Sequence, residues 1–148
     1  MQTRLRRMRQ ERGAALLEMA LTLPLLLLVC VGILEFGRAY QTWQVMTNAA
    51  REGARIAVLP GTTNTDVTNR VQTYLTNGQL PNAASATVNI DRTQTISIGT
   101  STAPAAQVTV NYPFDFIVLD PIARLATGQG SATPSTLNMV AQALMRTE

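Results

Sequence analysis

The residues predict an α+β chain built on one long N-terminal helix, and three observations carry that prediction. The chain is apolar from Ala14 to Leu34 except for one acid, Glu18. Behind this run, apolar and small residues recur at alternating spacings of four and three as far as Pro60-Gly61. Period-two alternation then becomes the main signal towards the C-terminus. The expected organisation is a basic leader over 1–13, an apolar span over 14–34 and an amphipathic extension over 35–59. Residues 60–148 would form a small domain with one helix and a three- to four-stranded antiparallel sheet.

The span is long enough to cross a bilayer. A helix rises about 1.5 Å per residue, so Ala14 to Leu34 covers roughly 31 Å, close to the thickness of the hydrocarbon core. Its side chains are apolar all round, where a surface helix would keep a polar face. A buried core helix is the alternative, but so small a domain can hardly surround such a segment. Pro24 is expected to kink the helix without stopping it. Five arginines, Arg4, Arg6, Arg7, Arg9 and Arg12, precede the run and are opposed only by Glu11. They act as an orientation signal: the positive-inside rule keeps the N-terminus cytoplasmic and carries the C-terminal part across the membrane.

The net charge of +3 does not point to nucleic acid. Most of the excess charge lies in the leader, lysine is absent, and no basic patch is interleaved with stacking aromatics. A secretory signal peptide would have a shorter apolar part and small neutral residues where Glu35-Phe36-Gly37-Arg38-Ala39 stands. A lipoprotein signal would need a small residue before Cys30, where Val29 stands. Cys30 is the only cysteine. It can form no internal disulfide and reads as a small apolar side chain in lipid.

Beyond the span, Phe36, Tyr40, Trp43, Thr47, Ala50, Ala54 and Ala57 share one helical stripe, expected to be the face on which the rest of the domain packs. A subunit contact along it is the alternative. Tyr40 and Trp43 fall near the lipid boundary, which amphipathic rings favour. Glu35 with Arg38, and Glu52 with Arg55, are spaced to pair on the surface. Pro60-Gly61 ends this helix.

Thr62 to Asp66 offers a cap for a second helix, with Val67, Val71, Tyr74 and Leu75 on its apolar face and Asn77-Gly78 as its stop. Thr87 to Ile98 alternates as a strand, and Gln107 to Tyr112 does so more cleanly. Pro113 to Gly130 carries three turn signals. The segment Leu137 to Met145 alternates as a final strand, although Leu137, Val140, Ala141 and Leu144 also fit a short helix.

No catalytic set emerges. Histidine is absent, which removes imidazole base chemistry and the usual metal clusters, and without lysine no Schiff base can form. Asp115 and Asp120 read as turn or strand-end acids. Gly128-Gln129-Gly130 follows no strand and opens no helix, so it makes no nucleotide loop. No cofactor or metal is expected. The competing functions are an assembly subunit working by contacts, an uncleaved membrane-anchored surface binding or adhesion module, and, remotely, a tethered enzyme.

Arg12-Gly13-Ala14-Ala15-Leu16-Leu17-Glu18-Met19-Ala20-Leu21-Thr22-Leu23-Pro24 resembles the start of TadE-like proteins, pseudopilins of tight-adherence (Flp) pilus systems. The resemblance continues through Gly32 to Ala39 and Thr47 to Arg55, about the first third of the chain. It implies a pilin-like fold and a single-pass protein of the bacterial inner membrane, matured by a prepilin peptidase that cuts between Gly13 and Ala14. It also implies an assembly role for Glu18. The partners implied are the lipid bilayer, the peptidase, and other pilus-assembly membrane proteins and pilins. One departure is Met19, where processed relatives usually carry an aromatic residue. Spacing alone leaves two readings of Glu18 open. In one it pairs with the ammonium that cleavage creates on Ala14; in the other it sits at headgroup depth in water.

Overall fold

The computed structural model of the chain describes residues 2–127 and 136–147, with the backbone alone for residues 2–12, Ala123, Ala126 and Thr127. Helix α1 runs from Gln2 to Ala57 without interruption, through Pro24. It stops short of Pro60, whose ring excludes the helical conformation from the residue before it. The Thr62 hydroxyl donates to the carbonyls of Ile56 (2.9 Å) and Leu59 (2.8 Å), satisfying acceptors that the helix end leaves open. Helix α2 (Asn64–Asn77) starts at a full capping box. The Asp66 amide donates to the Thr63 hydroxyl at 3.2 Å, while the Thr63 amide donates to the Asp66 carboxylate at 2.8 Å. Bonding from Thr63 holds the Asp66 carboxyl below its usual pKa.

Strands β1 (Thr87–Ile98) and β2 (Ser101–Phe114) form an antiparallel hairpin, and β3 (Leu137–Arg146) pairs antiparallel with the other edge of β2. The sheet order is β1-β2-β3. The hairpin turns at Gly99, whose φ of 63° a residue with a side chain adopts reluctantly. The β1–β2 register shifts between Asp91 and Gln94. At this bulge the Asp91 carboxylate accepts from the Thr93 hydroxyl (2.6 Å), the Gln94 amide (2.7 Å) and the Thr93 backbone N–H (2.8 Å), which pull its pKa down to about 2. The layout is α+β, with a sheet at the lower end of the expected strand count.

The core lies between one face of the sheet, α2 and the C-terminal half of α1. Met46, Val67, Val71, Leu75, Val108 and Val110 are its largest fully buried side chains. On α1 the buried positions are Glu35, Ala39, Thr42, Met46, Ala49, Ala50, Gly53, Ala54 and Ala57. This corrects the stripe expected from spacing. Its alanine end, Ala50, Ala54 and Ala57, is buried as expected, but Phe36, Tyr40 and Trp43 are exposed. Near the span the packed face is displaced by one residue, onto Glu35, Ala39 and Thr42. Tyr74, placed on the apolar face of α2 by spacing, is also exposed, whereas Val67, Val71 and Leu75 are buried.

The stretch read as turns contains a short helix, α3 (Leu119–Thr127), so the described residues of the C-terminal part hold two α-helices where one was expected. A single 3-10 turn, Ala83–Ser85, links α2 to the sheet. Leu137–Arg146 is a strand, which settles its ambiguous pattern. Gly128-Gln129-Gly130 lies outside the described residues.

Candidate functional site: an uncovered apolar helix and the clamp at its base

From Gly13 to Cys30 every residue of α1 is exposed. Burying a large apolar side chain is worth about 1.5–3 kcal/mol. Left in water, the exposed side chains from Leu16 to Val29 would forgo more than the ~5–15 kcal/mol stability of a typical domain. The segment therefore needs an apolar surrounding, and it is long and apolar enough to cross a membrane near the N-terminus.

The residues singled out at its start lie on that exposed surface. Gly13 has open space around it, and Ala14 and Glu18 are exposed. They stand four positions apart on one helix face, about 6 Å along the axis. The Thr22 hydroxyl donates to the Glu18 carbonyl at 2.9 Å and leaves the carboxylate outward. Arg4, Arg6, Arg7, Arg9 and Arg12 continue the same helix towards its N-terminus, and their side chains lie outside the described part. Tyr40 and Trp43 lie a turn or two beyond the apolar run, with ring centroids 6.3 Å apart, and Gln44 donates to the Tyr40 hydroxyl at 2.7 Å.

Where the span meets the folded part, a clamp forms that spacing did not reveal. Glu35 directly follows the apolar run, yet its side chain is only 5% exposed. Its carboxylate accepts from Arg38 at 3.0 Å and from the backbone N–H of Val118 at 2.7 Å. Arg38 also donates to the Asp115 carbonyl and lies over the Phe114 ring, 4.8 Å from its centroid. Phe116 stacks edge-on against both Phe114 (5.2 Å) and Phe36 (6.4 Å). The expected surface pair is thus a half-buried junction that ties the segment after β2 to the end of the span. Burial raises its worth, because a charge-assisted bond is stronger where water is excluded. The available signal was Glu35 and Arg38 three apart at the apolar boundary. Their remaining partners stand about eighty residues on, beyond the reach of local spacing.

A second tie joins α1 to α2. Glu52 accepts from Arg55 at 3.0 Å, as its spacing predicts, and also from Arg70 at 2.7 Å. Hydrogen bonds from Arg55 and then Arg70 hold the Glu52 carboxyl below its usual pKa. Asp120, read as a turn acid, pairs with Arg124 within α3 at 2.6 Å. Among the described residues, no group of three or more His, Cys, Asp or Glu is placed to hold a metal ion.

The geometry defines a class: a helix with an uncovered, membrane-length apolar half, and a small α+β domain packed on its other half. The family model described as TadE-like protein matches residues 13–55. The match begins at the glycine singled out for cleavage, covers the whole apolar run and the clamp residues Glu35 and Arg38, and ends within the buried alanine face of α1. It agrees with the resemblance drawn from the motifs. No curated protein and no solved structure matches the chain.

Proposed function

We propose that this chain is a TadE-like minor pilin or pseudopilin, a single-span membrane protein that takes part in assembling tight-adherence pili. One coincidence carries the reading: the family match over residues 13–55 takes in both the apolar stretch from Gly13 to Cys30 that the fold leaves uncovered and the buried face of α1 on which the domain packs. The leader arginines favour a cytoplasmic N-terminus in the inner membrane, with the domain after the span outside the cytoplasm. The protein works by contacts with pilins and other assembly proteins in the bilayer, and it performs no catalysis of its own.

Maturation by prepilin peptidase after Gly13 gives Glu18 its role. Cutting removes the arginines and leaves an ammonium on Ala14, one helical turn from the carboxylate. A lone acid within lipid costs about 2.5–3.5 kcal/mol at the centre of a span and less towards its edge. Pairing with the ammonium of the same or a neighbouring chain offsets part of that cost and favours one axial register. The α1 backbone is helical across the Gly13–Ala14 bond, so cleavage requires local unwinding. Glycine makes this easier, being about 1 kcal/mol poorer than alanine within a helix.

Intact-mass measurement of the membrane protein, produced with and without the peptidase, tests the reading. The expected result is loss of residues 1–13 only when the peptidase is present. A full-length chain under both conditions would favour the uncleaved, membrane-anchored surface binding or adhesion module instead.

A further inference from the structure

The segment from Ile117 to Leu125 presents apolar side chains that the fold does not cover. Ile117 is 64% exposed and Leu125 87%, and Val118 and Ile122 are also open. Helix α3 gives these side chains a direction. The Ile122 amide donates to the Val118 carbonyl at 3.2 Å, so Val118 belongs to the first helical turn. At about 100° per residue, Val118, Ile122 and Leu125 fall within an arc of roughly 60°. Asp120 and Arg124 fall on the opposite side, where they pair with each other.

The side that the apolar stripe faces is fixed at one end. Ile117 and Val118 line an apolar hollow together with Val31 and Leu34, the last turn of the span. The bond from the Val118 amide to buried Glu35 holds that end in place. The apolar stripe of α3 therefore begins at the level where the span leaves its apolar surrounding, and it continues that apolar surface sideways. A helix in this position suits a bilayer surface: its apolar side is the open one and enters the acyl boundary, while the Asp120–Arg124 pair, 15% and 35% exposed, lies on the better-covered side.

We propose that α3 is a second membrane contact, lying in the interface of the leaflet at the C-terminal end of the span, with Ile117, Val118, Ile122 and Leu125 inserted. This rests on the reading of residues 14–34 as a membrane span. The single helix would be free to rotate and tilt in the bilayer. A contact to one side of it, held by Glu35, fixes the orientation of the domain relative to the membrane plane.

The test uses the full-length chain with Cys30→Ser as background, in phosphatidylglycerol/phosphatidylethanolamine vesicles. A fluorophore is attached in turn at Leu125→Cys, at Leu26→Cys within the span, and at Gln94→Cys on the distant hairpin. Quenching by nitroxide-labelled lipid is compared with quenching by aqueous iodide. The expected result is lipid quenching at both Leu125 and Leu26, with at least a fivefold lower iodide response than at Gln94. Lipid quenching at Leu26, with Leu125 as open to iodide as Gln94, overturns the α3 contact and leaves the span standing. Leu125 shielded from both quenchers also overturns it, in favour of a protein partner. Iodide quenching at Leu26 fails the span itself.

Discussion

Glu35 shows how one side chain can join two solvents. It ends the apolar run, so spacing alone reads it as the first polar residue beyond a span, paired loosely with Arg38. The fold instead buries it and gives it the Val118 amide as a second donor. A hydrogen bond to a charged group contributes about 1.5–3 kcal/mol, and each 1.4 kcal/mol is a factor of ten in an equilibrium. Glu35→Ala should therefore speed hydrogen exchange at the Val118 amide by about 10- to 100-fold in detergent or nanodisc samples. Exchange at the buried positions Val67 and Val71 of α2 should stay unchanged. Glu35→Gln keeps a neutral acceptor and should have a smaller effect. An unaltered Val118 amide in Glu35→Ala would show that the clamp does not hold this segment. Sequence could mark Glu35 and Arg38 as a pair. It could not mark Val118 or Asp115, whose contributions come through backbone atoms that carry no residue signature.

Elements were legible where a single environment covered them, and illegible where the environment changed along their length. α2, with polar loops on either side, announced its cap and its stop. β1 was readable end to end. β2 was readable only from Gln107 onwards, because the bulge opposite it flips its phase. Ala103 and Ala105 are buried on odd positions, then Ala106, Val108, Val110, Tyr112 and Phe114 on even ones. α1 failed in a different way. Reading an apolar stripe as the packed face assumes water on the other side. Near a span the outer surroundings are apolar as well, so Phe36, Tyr40 and Trp43 can face outward while Glu35 and Thr42 turn in. Further along, α1 packs through small residues, and Gly53 is one close approach. A Cβ added there would stand 2.6 Å from Val71 Cγ2 and 3.2 Å from Val108 Cγ1. Alanine would bring up to about 1 kcal/mol of helix propensity. Val71 and Val108 are fully buried and stiff at χ1, so the clash wins, at roughly 1–3 kcal/mol for an overpacked core. Gly53→Ala should lower the urea midpoint of the full-length protein in mild detergent. Gly37→Ala, in open space on the same helix, should leave it unchanged or raise it slightly.

For the whole molecule, α1 does two jobs in two media, and Glu18 belongs to only one of them. The folded part is buried around residues from Glu35 onwards, whereas Glu18 lies on a stretch, Gly13 to Cys30, that is exposed throughout. Replacing it should therefore leave the C-terminal domain intact, and it should make insertion easier, since a span without an acid costs less to place in lipid. On the maturation proposed above, what it removes is the anionic partner for a freed amino terminus. Without that pair, neighbouring helices can slide past one another on apolar surfaces that distinguish one register from the next only weakly. Glu18→Ala should accordingly be recovered in the membrane at wild-type levels, resist carbonate extraction and lose its leader normally, while surface pili fall at least tenfold by electron-microscopic count. Glu18→Gln separates charge from shape: it retains the hydrogen-bonding side chain but not the ion pair, and it should resemble the alanine variant if charge sets the register. Wild-type pilus numbers in Glu18→Ala, with the protein inserted and processed, would show that the acid sits at headgroup depth and takes no part in assembly.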